Sequence, residues 1–164
     1  MLRNRLLNCS STGTTTAAGF WGIFTSTGAT TVNIDSNQVI GYTYAGGVTT
    51  VPTGGVIYNS TSTSAITNFN VRGNLIRDLS CNGTGTFGAI QSGAQILGTF
   101  FVAGNQIRNF TRNSASGIAA MIYHSSGVTA NFTSFQNVID SVRITATTNT
   151  TALYGIFDNS ALLS

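Results

Sequence analysis

One asparagine-centred motif recurs along the chain at a nearly constant interval. Each copy has an asparagine, an aliphatic residue two positions later and an apolar residue five positions later. The asparagines are Asn4, Asn37, Asn74, Asn105 and Asn137, which lie 33, 37, 31 and 32 residues apart. Self-similarity at a period of roughly 20–50 residues is typical of repeat proteins whose units stack on their neighbours. The motif therefore predicts a solenoid in which each repeat forms one turn.

Further apolar series define the strands of each turn. Apolar residues recur five and three positions before the asparagine, and this period of two indicates a strand with one buried face. A separate series precedes them and consists of Ile23, Ile57, Ile90, Ile122 and Ile156. The sequence thus predicts an all-β parallel β-helix over residues 1–164. It has about five turns of roughly 33 residues, three short strands per turn and no cap at either end.

The repeated asparagine falls between two strands, at a corner of each turn. An inward amide at a corner can hydrogen-bond to the equivalent amides above and below it. It thereby satisfies backbone groups that the corner leaves unpaired. We therefore expect the five asparagines to form a structural ladder.

The strings GVIYNSTSTSAITNFNVRGNLIRDL and GIFTSTGATTVNIDSNQVIGY carry this pattern most clearly. They resemble the right-handed parallel β-helix repeats of the pectate-lyase-like superfamily. They are similar above all to the Thr/Ser/Asn-rich repeats of large secreted bacterial surface proteins. The resemblance implies a right-handed coil and an extracellular or cell-surface location as part of a secreted precursor.

The composition restricts the partners that this chain is expected to have. It contains no Lys and no Glu, only 7% of its residues are charged, and the formal net charge is +3. The arginines are scattered, whereas nucleic-acid binding needs a clustered basic surface. No apolar run approaches about 18 residues, so we expect no membrane insertion. The first nine residues are too short and interrupted for a signal peptide.

The acidic residues argue against catalysis. The chain has four aspartates, Asp35, Asp78, Asp140 and Asp158. Three have an arginine in an adjacent position or in the same column of the next turn: Arg72 for Asp35, Arg77 for Asp78 and Arg108 for Asp140. Glycoside-cleaving enzymes need paired carboxylates. We therefore predict no enzyme activity, no metal and no cofactor.

His124 and the two cysteines are expected to be structural. His124 has no second ligand residue nearby and no evident acid to orient it, which favours an exposed or hydrogen-bonded corner histidine. Cys9 and Cys81 lie two turns apart, roughly 10 Å along the axis, which is too far for a disulfide. Two buried thiols are predicted.

An aromatic series directly follows the isoleucines and consists of Phe24, Tyr58, Tyr123 and Phe157, with Gln91 in the same column. If the isoleucines point inward, these rings point outward along one ridge. They are then either covered by the long loops or available for contact with a glycan or a neighbouring solenoid.

The two ends are complementary in register. A following copy of the chain would place its Asn4 31 residues after Asn137, within the observed range of intervals. An open terminal rung is an exposed strand edge, so head-to-tail stacking into a filament is expected. The residues predicted to meet there are Met1, Leu2, Leu6, Ile156, Leu162 and Leu163. The alternative is that these turns are an internal part of a longer solenoid.

The sequence therefore predicts a structural or adhesive subunit of an extracellular filament or cell-surface protein. A glycan-binding or glycan-cleaving β-helix is the first alternative. Thr pairs in the loops, such as Thr14 with Thr16 and Thr84 with Thr86, suggest an ice-binding solenoid as the second.

Overall fold

Sixteen strands and no helix make up the described part of the chain. The computed structural model describes residues 3–11, 20–26, 30–45, 54–60, 66–113, 116–125, 129–145 and 150–159. Every strand pairing within this part is parallel. Parallel neighbours require a crossover between consecutive strands of one sheet, and here the rest of the turn provides it.

The strands form three sheets, which the chain visits in a fixed order. The ladder sheet contains β1 (Arg5–Leu7), β5 (Gln38–Ile40), β9 (Leu75–Asn82), β12 (Gln106–Asn113) and β15 (Val138–Ile144), with β2 (Ser10–Ser11) and β6 (Thr43–Tyr44) beside them. The isoleucine sheet contains β3 (Phe20–Thr25), β7 (Gly54–Asn59), β10 (Phe87–Ser92), β13 (Ser116–His124) and β16 (Thr150–Asp158). The phenylalanine sheet contains β4 (Thr31–Asp35), β8 (Ile66–Arg72), β11 (Ile96–Ala103) and β14 (Thr129–Phe135).

This topology is a β-solenoid of about four turns with three strands per turn. The predicted all-β parallel solenoid is confirmed. The sequence count of about five turns is one too high, because five asparagines enclose only four intervals.

The register confirms that like residues stack on one another. Phe100 pairs with Phe69 on one side and with Phe132 on the other. The Phe69 and Phe100 rings are stacked with centroids 5.3 Å apart, and the Phe100 and Phe132 rings lie 5.2 Å apart. In the isoleucine sheet, Ile90 pairs with both Ile57 and Ile122. These columns form one continuous hydrophobic core along the solenoid.

Two columns of left-handed backbone turn the chain on either side of the ladder. The residues just before the ladder asparagines have positive φ: Arg3, Ser36, Gly73, Gly104 and Gln136, with values from 50° to 62°. The residues four positions after them do as well: Asn8, Gly41, Asp78, Asn109 and Ser141, with values from 49° to 70°. A left-handed residue interrupts the alternation of a strand. It explains why inward positions near the asparagine are three residues apart instead of two.

The isoleucine sheet bends in a different way. Two consecutive residues join the core on its inner rungs: Val56 with Ile57, Ala89 with Ile90, and Met121 with Ile122. The first residue of each pair has no register partner on the neighbouring strand, whereas the isoleucine has one. Such an irregularity bends a strand, because a regular strand would send only one of the two inward.

Candidate functional site

The ladder asparagines form a continuous line of side-chain hydrogen bonds along the solenoid. Oδ1 of Asn74 accepts from the backbone N–H of Asn37 at 2.8 Å and from its Nδ2 at 3.0 Å. Oδ1 of Asn105 accepts the same two bonds from Asn74, both at 2.9 Å. The arrangement repeats between Asn4 and Asn37 and between Asn105 and Asn137. The predicted ladder is thus present.

The ladder also satisfies buried carbonyl groups of the phenylalanine sheet. Nδ2 of Asn105 donates to Val71 O at 2.9 Å, and Nδ2 of Asn74 donates to Ile34 O at 2.9 Å. Both asparagines are buried. An unpaired backbone group at such depth would cost about 1–3 kcal/mol, so each amide stabilises the corner that it occupies.

The ladder has a direction, and its two ends differ. Each of the first four asparagines donates from its N–H and Nδ2 to the Oδ1 of the asparagine on the following rung. At the last described rung, the backbone N–H of Asn137 has no ladder acceptor, although its Nδ2 donates to Val102 O and Ser134 Oγ. At the first rung, Oδ1 of Asn4 receives no bond from a described residue. One end therefore presents a donor and the other an acceptor.

A second polar column runs through the interior beside the isoleucines, and the sequence analysis missed it. Its members, in order of rungs, are Thr25, Asn59, Ser92, His124 and Asp158. Thr25 Oγ1 donates to Asn59 Oδ1 at 3.0 Å, and Asn59 Nδ2 donates to Ser92 Oγ at 3.2 Å. Five different residue types fill this column, so no repeated letter marks it. Its signal was a polar residue two positions after every isoleucine.

His124 and Asp158 form the terminal pair of this column. Nδ1 of His124 lies 3.1 Å from Oδ1 of Asp158, and the side chains are 0% and 36% exposed. Burial lowers the pKa of His124 below its usual value, and Asp158 opposes this shift by hydrogen bonding and by its charge. Of the two alternatives predicted for His124, exposed or hydrogen-bonded, the structure confirms the second. Asp158, for which the sequence indicated no partner, contacts His124.

Ser92, His124 and Asp158 have the residue types of a hydrolytic triad but not its arrangement. Ser92 Oγ donates to Ala94 O at 3.4 Å instead of to the imidazole. Ser92 and His124 are both fully buried. A nucleophile must reach its substrate and its base, so this column as folded is a structural network.

The other aspartates lie on the outside of the turns. Asp35 forms two parallel bonds with Arg72, each 2.9 Å, and Asp78 binds Arg77 at 2.7 Å. Both pairs were expected. Arg108 and Asp140 are register partners, but among the described residues Asp140 bonds only to Ser141. The described residues hold no group of three or more His, Cys, Asp or Glu that would bind a metal ion.

Arg112 is a charged residue in a column that also contains Tyr44, Cys81 and Ile144. It was not singled out from the sequence. Its side chain is fully buried, and its guanidinium donates to Gly83 O at 2.9 Å and to the carbonyls of Gly85 and Ile118. Burial lowers the pKa of Arg112. A Cβ at Gly117 in the same corner would collide with the Thr84 carbonyl. The guanidinium thus ties together the backbone of two successive corners.

The two cysteines are free thiols in unlike environments. Cys81 is fully buried in the core, whereas Cys9 is half-buried because it lies on the first rung. The prediction of two buried thiols is therefore wrong for Cys9. Burial raises the pKa of Cys81 to about 11.

We expect a thiol reagent at pH 8 to modify Cys9 and to spare Cys81. Only the thiolate reacts, and a pKa two units above the ordinary value lowers its fraction about 100-fold, before burial restricts access further. Stopped-flow measurement with a chromogenic disulfide should give one fast thiol in the native protein and two in urea. Two equally fast thiols in the native state would contradict the described burial of Cys81.

The predicted aromatic series is divided between the two ends of the isoleucine sheet. Tyr58 and Phe24 contact each other and also Trp21, whose ring lies nearly parallel to Tyr58 at 6.3 Å. Trp21 is 44% exposed and was not predicted. Toward the other end, Phe157 stacks on Tyr123, which is buried. The ridge is thus exposed mainly at its first rungs.

The terminal rungs expose apolar groups of the interior columns. Ile156 is 49% exposed, although its column partners Ile90 and Ile122 are fully buried. At the opposite end, the half-buried Leu6 and the buried Ile23 border a depression of about 530 Å³. Leu6 and Ile156 are the described members of the predicted stacking interface. Its other members, Met1, Leu2, Leu162 and Leu163, lie outside the described residues, as do Thr14 and Thr16 of the ice-binding hypothesis.

Comparison of the chain with protein-family models, with curated proteins and with solved structures finds no match. A search of the described residues for a helix able to cross a lipid bilayer is likewise negative. The β-solenoid fold and its ladders are therefore the basis for assigning a function.

Proposed function

We propose that this chain is a structural β-solenoid subunit of an extracellular filament or cell-surface protein, and that copies stack head to tail through their terminal rungs. The polarity of the asparagine ladder is the observation that carries the proposal. The Asn137 end presents a backbone donor, and the Asn4 end presents a side-chain acceptor. A second copy in the same orientation continues the ladder, whereas an inverted copy would place donor against donor.

The apolar columns support the same orientation. In a head-to-tail stack, Ile156 of one copy lies over Ile23 of the next, as Ile122 does over Ile90 within the chain. The depression beside Leu6 and Ile23 provides room for the Ile156 side chain of the neighbouring copy. Covering exposed apolar surface contributes about 25 cal/mol per Å², and the parallel strand edges gain hydrogen bonds at the same time.

The proposal includes an extracellular location and a relationship to the pectate-lyase-like β-helix repeats. The weakly charged surface, with its Thr, Ser and Asn residues, agrees with the resemblance to secreted β-helix repeats of the pectate-lyase-like superfamily. Flanking turns of a longer solenoid would occupy the same two edges in the same register. Of these two arrangements, stacking between identical chains can be tested with the purified protein.

Replacing Ile156 by aspartate is expected to abolish end-to-end association and to leave the subunit folded. The new carboxylate would have to be buried in the joint without a partner, whereas in the free subunit it faces water. Electron microscopy and sedimentation velocity should show filaments or short stacks for the wild type and single subunits for the variant.

Phe135→Asp is the matched control for this change. Phe135 lies on the last strand of the phenylalanine sheet and is exposed, but it shares the outer column of Arg72 and Ala103. Association should persist in this variant. Uniform single subunits of wild-type protein at every concentration would reject stacking.

Glycan binding is the second candidate, and the aromatic cluster of Trp21, Phe24 and Tyr58 favours it. Exposed rings that lie nearly parallel on a sheet offer apolar faces to sugar rings. Trp21 is the single tryptophan of the chain. Its fluorescence during titration with oligosaccharides is the measurement that separates this candidate from the first.

A further inference from the structure

The inward polar column ends at Asp158, on the same terminal rung that the proposed stacking covers. Its carboxylate is 36% exposed in the single subunit, and the imidazole of His124 beneath it is fully buried. Stacking would remove the remaining water from this carboxylate. A buried ionised carboxylate is costly unless it gains a charge partner or enough hydrogen bonds.

The incoming copy offers little compensation at this point. The continuing register places its Thr25 over Asp158, and the Thr25 hydroxyl already donates to Asn59 at 3.0 Å. Of the arginines at that end, Arg5 belongs to β1 of the ladder sheet and Arg3 lies just before this strand, so neither is part of the isoleucine sheet. The described contact that the carboxylate carries into the joint is the one with His124, at 3.1 Å.

The arginines of the described residues all lie outside the isoleucine sheet. The neighbouring strands present Ser92 from β10 and the rings of Phe100 and Phe132 from β11 and β14. On the terminal rung, Asp140 and Arg143 of β15 are exposed. Asp158 is the one charged group among the causes that shift the pKa of His124.

We propose that end-to-end docking of this solenoid takes up one proton at the His124–Asp158 pair, so that acid strengthens docking and alkali weakens it. This inference rests on the proposed function. With a neutral imidazole and an ionised carboxylate, the pair carries one negative charge into the joint. One added proton makes the pair neutral overall, whether the proton resides on nitrogen or on oxygen.

The sign follows from the protons bound in each state. The free subunit takes up this proton only below the usual histidine pKa of 6.5, because burial lowers the pKa of His124. The docked pair holds it to a higher pH, since release would leave a buried charge. Between these two limits the association constant falls by about tenfold per pH unit, the value for one proton.

Asp158→Asn is the decisive variant. An asparagine already occupies this column at Asn59, so the amide fits the interior. The variant has no carboxylate to neutralise. Its association constant should stay constant between pH 6.5 and 8 and exceed that of the wild type at pH 8 by roughly tenfold or more.

Asp140→Asn is the matched control, because it removes the same charge from the same rung on the outer surface. Sedimentation equilibrium of the three proteins from pH 5.5 to 8 at fixed ionic strength makes the comparison. The control should follow the wild type. An Asp158→Asn variant that weakens with pH as the wild type does would overturn the proton uptake. Absence of association in all three proteins at every pH would instead overturn end-to-end docking itself.

Discussion

Replacement of Asn105 by alanine is expected to lower the free energy of unfolding by about 3–5 kcal/mol. Asn105 is fully buried, its Oδ1 accepts two bonds from Asn74, and its Nδ2 donates to Val71 O and to Asn137. Alanine removes all four bonds. The backbone N–H of Asn74, one hydrogen of its Nδ2 and the Val71 carbonyl then remain in the interior without partners, and this desolvation accounts for most of the loss. Urea denaturation followed by circular dichroism measures the change.

Asn4→Ala provides the comparison, because it removes the same side chain at the first rung. Asn4 is exposed, and within the described part of the chain its amide donates to Asn37 alone, so water can replace it as a partner. The expected loss is below about 1 kcal/mol. Equal losses for Asn4 and Asn105 would mean that the stabilisation does not come from burial of the ladder.

Replacement of Arg112 by methionine is expected to cost about 2–4 kcal/mol. Methionine has a similar length and is apolar, so it fills the space but leaves the carbonyls of Gly83, Gly85 and Ile118 without the guanidinium. The loss is reduced because burial of a charge is itself unfavourable and because Nε of Arg112 has no hydrogen-bond partner among the described residues. Thermal and urea unfolding measure the difference.

Arg108→Met on the same strand is the control for this change. Arg108 is exposed and forms no ion pair among the described residues, so its loss should alter stability by less than about 0.5 kcal/mol. If Arg112→Met proved as stable as the wild type, the guanidinium would direct the path of the corners without stabilising them.

The columns that sequence revealed are those that need one type of side chain on every rung. The amide of Asn74 must fit the amides of Asn37 and Asn105, and Phe100 must stack on Phe69, so the same letters recur at the period of the turn. Repetition of this kind is a constraint on chemistry and shape together. It was sufficient to predict the solenoid, its three strands per turn and the ladder.

The left-handed corners escaped sequence analysis because they constrain the backbone more than the side chain. Arg3, Ser36 and Gln136 share one such column with two glycines and have little else in common. The side chains there have no shared chemistry that would recur as a letter. The second polar column is hidden for a related reason, since Thr25, Ser92 and Asp158 solve the same problem of hydrogen bonding with different groups.

The burial of a column can change at its last rung, which lacks a neighbour on one side. Cys9 and Ile156 belong to columns that are buried farther along the solenoid, but both lie on terminal rungs. Sequence gives the direction in which a side chain points, whereas its exposure also depends on what lies above it. Arg112 shows the converse, because only the folded corners reveal the carbonyls that bind it.

The one-way hydrogen bonds of the asparagine ladder have an electrical consequence. Each rung adds a small dipole of the same sense, much as successive peptide groups do along an α-helix. The end bearing Asn4 Oδ1 therefore carries a partial negative charge relative to the end bearing the Asn137 N–H. A fibre built from such units would have a plus tip and a minus tip, with separate rates of elongation.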